Sequence, residues 1–97
     1  MIVTLYKTGK DGRQMYYTIH DRQGVFFDKN AFTAIWGRGI DTGREKYYTF
    51  DTRKDMDEKI RKLLKDKMKK GYKVLYSYFR KEKEKNEYEN IIHAEIS

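Results

Sequence analysis

Residues 52–72 constrain the fold more than any other stretch. Met56, Ile60, Leu63, Leu64 and Met68 recur at i, i+4, i+7, i+8 and i+12. That spacing gathers the five side chains onto one stripe of an α-helix. Thr52 stands where a helix N-cap is needed. Asp55, three residues on, holds the place that Glu or Gln usually takes in a capping box. The acids Asp55, Asp57 and Glu58 crowd the first turns and the bases Lys65, Lys67, Lys69 and Lys70 the last, an order the helix dipole favours. Gly71 is placed to close the helix in the left-handed conformation, and Tyr72 to pack back on Met68. The pattern predicts a helix from Arg53 to Lys70 whose apolar stripe lies on one face of a sheet.

The rest of the chain supplies that sheet. Ile2 to Lys7 reads as a strand with Val3 and Leu5 on one face. A turn follows at Thr8-Gly9-Lys10-Asp11-Gly12, where the two glycines are expected to supply positive backbone angles. Gln14 to His20 alternates, with Met15, Tyr17 and Ile19 on one face and Tyr16, Thr18 and His20 on the other. His20 falls on the less apolar face and is read as a surface residue. The chain turns again at Asp21-Arg22-Gln23-Gly24. Val25-Phe26-Phe27 is a strand fragment or a tucked loop, interrupted by Asp28-Lys29-Asn30. Ala31 to Arg38 is a strand with Phe32, Ala34, Trp36 and Arg38 on one face. The loop 39–43 leads into a strand from Glu45 to Phe50. After the helix, Tyr72 to Phe79 places Val74, Tyr76 and Tyr78 together and Leu75 with Phe79 opposite. Arg80 to Lys85 reads as a solvated run of mixed charge. Tyr88 to Ile96 fits either a helix (Tyr88, Ile91, Ile92, Ile96) or an edge strand (Ile92, Ala94, Ile96).

The chain has 97 residues, enough for one domain with one modest core. It has no cysteine, hence no disulfide framework and no thiolate metal site. This fits a reducing interior. Met1-Ile2-Val3 turns polar without the basic and apolar regions of a signal peptide, and no apolar run approaches membrane-spanning length. A cytoplasmic location and no membrane partner are expected. The net charge of +7 points to an anionic partner, most often nucleic acid. From Lys59 to Lys73 there are eight bases against one acid, Asp66. A lysine-rich helix face is usually just a solvated face. Together with Lys7, Lys10, Arg13, Arg44 and Lys46 it forms a basic surface beside an aromatic.

That aromatic is Trp36, the only tryptophan. In an extended strand Trp36 and Arg38 project to the same side, with Gly37 between them on the other. Gly37 adds no side chain, so a partner can approach the backbone. An aromatic plate beside a guanidinium fork suits a sugar or base face next to a phosphate. The commoner role of a lone Trp in a small domain is core, with Arg covering its edge.

Trp36-Gly37-Arg38 at a strand end resembles the signature of the WGR domain of poly(ADP-ribose) polymerases and many bacterial proteins. Met15-Tyr16-Tyr17-Thr18-Ile19 resembles the aromatic strand before that signature, Gly43-Arg44 the downstream Gly-Gln position, and Lys70-Gly71-Tyr72 the end of the family's helix. The resemblance covers Gln14 to Tyr78. Gly39-Ile40 departs from it, since the family usually has an aliphatic residue and then Gly after the Arg. The resemblance implies an α+β fold, a small antiparallel sheet with one amphipathic helix packed across one face. It implies a WGR-like domain over residues 1–79; residues 80–97, without a counterpart in the family, are read as a charged C-terminal extension. It also implies a module that binds duplex DNA near strand ends, Trp36 stacking on a terminal ribose and Arg38 holding a phosphate, with Gly37 allowing the approach. Arg44 and Lys46 join this candidate set from proximity and charge.

Three functions follow from these residues. The first is recognition of DNA sugar-phosphate, perceptive of ends and with little base specificity. Among nucleic acids RNA is second, because nine tyrosines and five phenylalanines offer stacking surfaces, although the aromatic-glycine motif of RNA-recognition sheets is missing. The second function is a protein-interaction module anchored by Trp36 and the tyrosines. The third, an enzyme, is least expected: His20 and His93 are the only histidines, and neither a phosphate loop nor metal-ligand spacing is present. No cofactor and no metal are expected.

Overall fold

The computed structural model describes residues 1–21, 30–38, 43–80 and 82–92. The segment around Val25-Phe26-Phe27, most of the loop after Arg38 and the end of the chain from His93 lie outside the described residues.

Five strands form one antiparallel sheet: β1 (Ile2–Thr8), β2 (Gln14–His20), β3 (Ala31–Gly37), β4 (Arg44–Thr49) and β5 (Lys73–Tyr78), in the spatial order β4-β3-β2-β1-β5. The β1–β2 turn closes through Gly9 N–H donating to the Arg13 carbonyl at 2.7 Å, with Gly12 at φ 82°. Of its two expected left-handed glycines, Gly12 alone takes a positive φ.

Helix α1 (Arg53–Lys69) joins the two edge strands, β4 and β5. The four strand spacings between them span about 19 Å, and seventeen residues of helix reach about 26 Å, so one helix suffices to cross the sheet. Its caps are built as the sequence implies. Thr52 Oγ1 accepts from the Asp55 N–H at 3.1 Å. At the other end Gly71 has φ 97°, its N–H donates to the Met68 carbonyl, and the Tyr72 N–H donates to the Lys67 carbonyl. That paired bonding is the Schellman closure. Met56, Ile60, Leu64 and Met68 are buried, and Leu63 flanks them. They meet Val3, Leu5, Tyr17, Ile19, Phe32 and Ala34 from the inner face of the sheet.

Two elements differ from the sequence reading. In β5 the register slips beside β1: Thr4 opposes Tyr76, Leu5 opposes Val74, and Leu75 is the extra residue of a bulge. Val74 therefore turns inward against Leu5. Tyr76 and Tyr78 turn outward opposite Thr4 and Ile2, instead of sharing a face with Val74. His20 lies on the outer face, as the alternation implies, but is half-buried there.

The ambiguous stretch is helical as far as it is described, in α2 (Glu82–Ile92), and this helix takes in the solvated run of mixed charge from Glu82 on. Tyr88 and Ile92, one turn apart, are buried in the same core as α1. The Tyr88 hydroxyl donates to Asp57 Oδ1, which also faces Arg53 Nε at 3.2 Å, and the Tyr88 ring stacks on Phe79 with centroids 6.2 Å apart. Burial first, and then the hydrogen bond to Asp57, push the Tyr88 phenol far above its ordinary range. Tyr88→Ala is expected to cost about 3–5 kcal/mol in urea unfolding. Tyr88→Phe, which keeps the packing and loses only the bond to Asp57, is expected to cost about 1 kcal/mol.

Candidate nucleic-acid interface

The signature lies at the far end of β3. Trp36 is flanked across the strands by Tyr17 on β2 and Arg44 on β4, so these three side chains form one row on the inner face. Trp36 is half-buried and packs against the core, its ring 6.2 Å from that of Tyr17 at an interplanar angle of 25°. The indole is thus neither wholly core nor wholly contact surface: Tyr17 and the core hold it in place while part of it stays exposed. Gly37 opposes Tyr16 and belongs to the outer face. Arg38 follows the last residue of β3 and is exposed.

Gly43 shows why the chain needs a glycine where it re-enters the sheet. A Cβ there would lie 3.1 Å from the Trp36 carbonyl oxygen and 3.2 Å from Ile35 Cγ2. Any larger residue would push β4 away from the signature. Because β4 stays close, Arg44 stands directly beside Trp36, and Lys46 beside Ala34 one step inward. Both are exposed. Of the five sequence-predicted residues, Trp36, Arg44 and Lys46 therefore share the inner face at this corner, Arg38 leaves from it, and Gly37 backs it from the other side.

Two lysines of α1 reach the same face, and the helical pattern alone did not single them out. Lys67 places its Nζ 4.6 Å from the Tyr17 ring centroid and 5.5 Å from that of Tyr72; Lys59 lies 5.7 Å from that of Tyr48, which Lys46 approaches at 4.9 Å. These are cation–π distances. The signal was present in the spacing: Lys67 is one turn beyond Leu63, on the flank of the stripe, where a long side chain lies along apolar surface and lifts its charge to the edge. Through Tyr17 the Lys67 ammonium is brought to the neighbourhood of Trp36. The Lys67 ammonium is held below its ordinary pKa by burial and by Lys70, with Asp66 opposing them. Lys62, Lys65, Lys69 and Lys70 are exposed, so part of the basic run is a solvated face.

Tyr17, at the centre of this arrangement, has its phenol pushed up to about 12 by burial and by the neighbouring Tyr48 and Tyr72. Its folded pKa thus exceeds the unfolded value of 10.0. The neutral phenol contributes stability that is complete below pH 10 and is lost as pH rises through 12. Stability measured by urea unfolding is expected to fall between pH 10 and pH 12, and Tyr17→Phe to make that fall shallower.

Among the described residues no group of His, Asp and Glu is arranged to hold a metal ion, and no helix is long and apolar enough to cross a membrane. No curated protein and no solved structure matches the chain significantly. The WGR domain model matches residues 1–79. The match takes in the whole sheet, α1 and the Trp36-Gly37-Arg38 corner, and on it the chain belongs to the WGR domain family.

Proposed function

We propose that this WGR domain is a non-catalytic module that binds the sugar-phosphate of duplex DNA near a strand end, at the Trp36 corner, with little reading of base sequence. WGR domains as a family are associated with nucleic-acid interaction. The observation that carries the finer reading is the partly buried Trp36 with Arg44 directly across the strand, Lys46 beyond it and Arg38 leaving the same strand end. An exposed edge of a ring fixed by Tyr17 suits a terminal ribose. Guanidinium groups on both sides suit the phosphates that flank it. Gly37 and Gly43 keep the backbone low around the ring. No base-reading element is required, because phosphate contacts position a protein without specifying sequence. The basic flank of α1 adds long-range attraction on the same side of the sheet.

The test is fluorescence anisotropy with a labelled blunt duplex carrying a 5′-phosphate, at low and physiological salt. Wild-type protein is expected to bind the duplex, and Arg38→Ala to weaken binding by an order of magnitude or more, about 1.4 kcal/mol. Arg38 is exposed, so this variant keeps its fold, which circular dichroism would check. Duplex binding indifferent to Arg38, or no binding at low salt, would make the signature structural and turn the search to a protein partner.

A further inference from the structure

We propose that the other face of the sheet, the one α1 leaves uncovered, binds an unpaired nucleic-acid strand by stacking its bases on Tyr76 and Tyr78. Its stacking residues, Tyr76 and Tyr78, lie on the face opposite the Trp36, Arg44 and Lys46 side chains, although Gly37 at the back of that corner borders the same open face.

The bulge at Leu75 creates the surface. Without the extra residue, Val74, Tyr76 and Tyr78 would share one face; with it, Val74 enters the core and both tyrosines face outward. They are 53% and 50% exposed, values that matter because a stacking residue must offer a ring face to its ligand. Tyr76, Tyr78 and Arg80 line one cleft of about 350 Å³ with Met1 and Ile2 beneath it. A planar ring system and a phosphate have their usual partners there, tyrosine for the ring and arginine for the oxygens. Arg80 lies 3.6 Å from Asp21 and keeps 60% of its side chain exposed.

A second cleft of about 320 Å³ lies on the same face, beyond Tyr76. Thr4, Tyr16, Thr18, Ile35 and Leu75 line it, and Trp36, Gly37 and Gly43 close its far end. Thr4 and Thr18 hydrogen-bond to one another at 3.1 Å across its floor, and each hydroxyl keeps capacity for another partner. A strand leaving the first cleft has a second aromatic, Tyr16, ahead of it.

The geometry selects an unpaired strand over a duplex. Tyr76 and Tyr78 are two residues apart on one strand, hence about 6.8 Å apart. That is twice the ~3.4 Å rise of stacked bases in a duplex strand. Only an extended strand with its bases parted puts one base on each ring, and the bases inside a duplex have no free face to offer. Charge agrees. Lys73 and Arg80 bracket the two tyrosines, both exposed. The strand carboxylate on this face among the described residues, Glu45, stands on the far edge, with Ile35, Thr18 and Thr4 between it and Tyr76. A protein partner is the competing occupant, since Tyr47 and Leu75 are exposed there with the two tyrosines; Lys73 and Arg80 beside the rings favour the anionic strand.

The probe is a labelled oligothymidylate, with an oligouridylate in parallel, titrated by anisotropy at low salt. Three variants separate the readings: Tyr76→Ala/Tyr78→Ala, Tyr76→Phe/Tyr78→Phe, and Arg38→Ala. The alanine pair is expected to weaken strand binding by at least about tenfold while leaving blunt-duplex binding unchanged. The phenylalanine pair, which keeps both ring faces and cannot be blamed on misfolding, is expected to bind as the wild type does. Arg38→Ala is expected to leave oligothymidylate binding intact, so loss of the duplex reading does not carry this one with it. No strand binding at low salt, or equal binding by the alanine pair, overturns the proposal. So does a wild-type dimer in sedimentation that the alanine pair converts to monomer without altering strand binding, since the face would then cover a second copy of the chain.

Discussion

The apolar stripe of α1 against the inner face of the sheet is the contact on which the other features depend. A five-stranded sheet has two faces, and this chain has one long helix with which to cover them. Joining β4 to β5 obliges that helix to cross every strand between. The sheet is therefore sealed along one diagonal, with Met56, Ile60, Leu64 and Met68 as the seam. What lies beside the seam is half-covered, which is where Trp36, Tyr48, Tyr72, Lys59 and Lys67 are found. On the reverse face no helix packs among the described residues, and Leu75, Tyr76 and Tyr78 are exposed there. The division of the molecule into a core, an aromatic-basic margin and a bare sheet face follows from helix length and strand order before any ligand is considered.

Trp36 shows why a margin is a useful place for a recognition residue. A fully exposed indole loses rotamer freedom on binding, and a fully buried one reaches no partner. Stacked beside Tyr17 and facing Arg44, Trp36 is already fixed in the free protein, so contact made through its exposed part carries less ordering cost. The same arrangement makes Trp36→Ala a poor probe, since it removes core packing together with any contact. Arg38, outside the strand and free of the core, separates the two.

Much of the fold was legible because its signals are local. The caps and stripe of α1 read directly from Thr52, Gly71 and the i, i+4, i+7 spacing, and the alternation in residues 14–20 and 31–37 named the inner face residue by residue. What could not be read is what depends on partners distant in sequence. The slip beside Leu75 is set by the pairing of β5 with β1, and one extra residue reverses the side on which Tyr76 and Tyr78 emerge. The end of the chain was ambiguous because Ile92 fits both periods; the pocket left by Phe79 and Asp57 for Tyr88 decides for helix. At the candidate site the sequence placed Trp36, Gly37 and Arg38 on one strand end and Arg44 and Lys46 nearby. Strand pairing supplied the row Tyr17-Trp36-Arg44, and helix packing supplied Lys67. The family match stops at residue 79, yet Tyr88 and Ile92 complete the core, so the packing unit extends past the matched segment.

The two faces also differ in the kind of force they can apply. Helix α1 lies on the inner side of the sheet, and at physiological ionic strength charges are screened over about 8 Å. The lysines of α1 therefore act on the inner corner and contribute little on the far side of the sheet. At that corner Arg38, Arg44 and Lys46 are the exposed cations, and neutralising three duplex phosphates gives a slope of log affinity against log salt of about −2.7. On the open face Lys73 and Arg80 are the cations beside the tyrosines among the described residues, and two contacts to a single strand give about −1.4. Titrations of a blunt duplex and of an oligothymidylate across a salt series are expected to return these unequal slopes, the shallower one belonging to the strand. Equal slopes would mean that one basic surface serves both ligands, whereas unequal ones follow from a sheet that presents charge on one side and ring faces on the other.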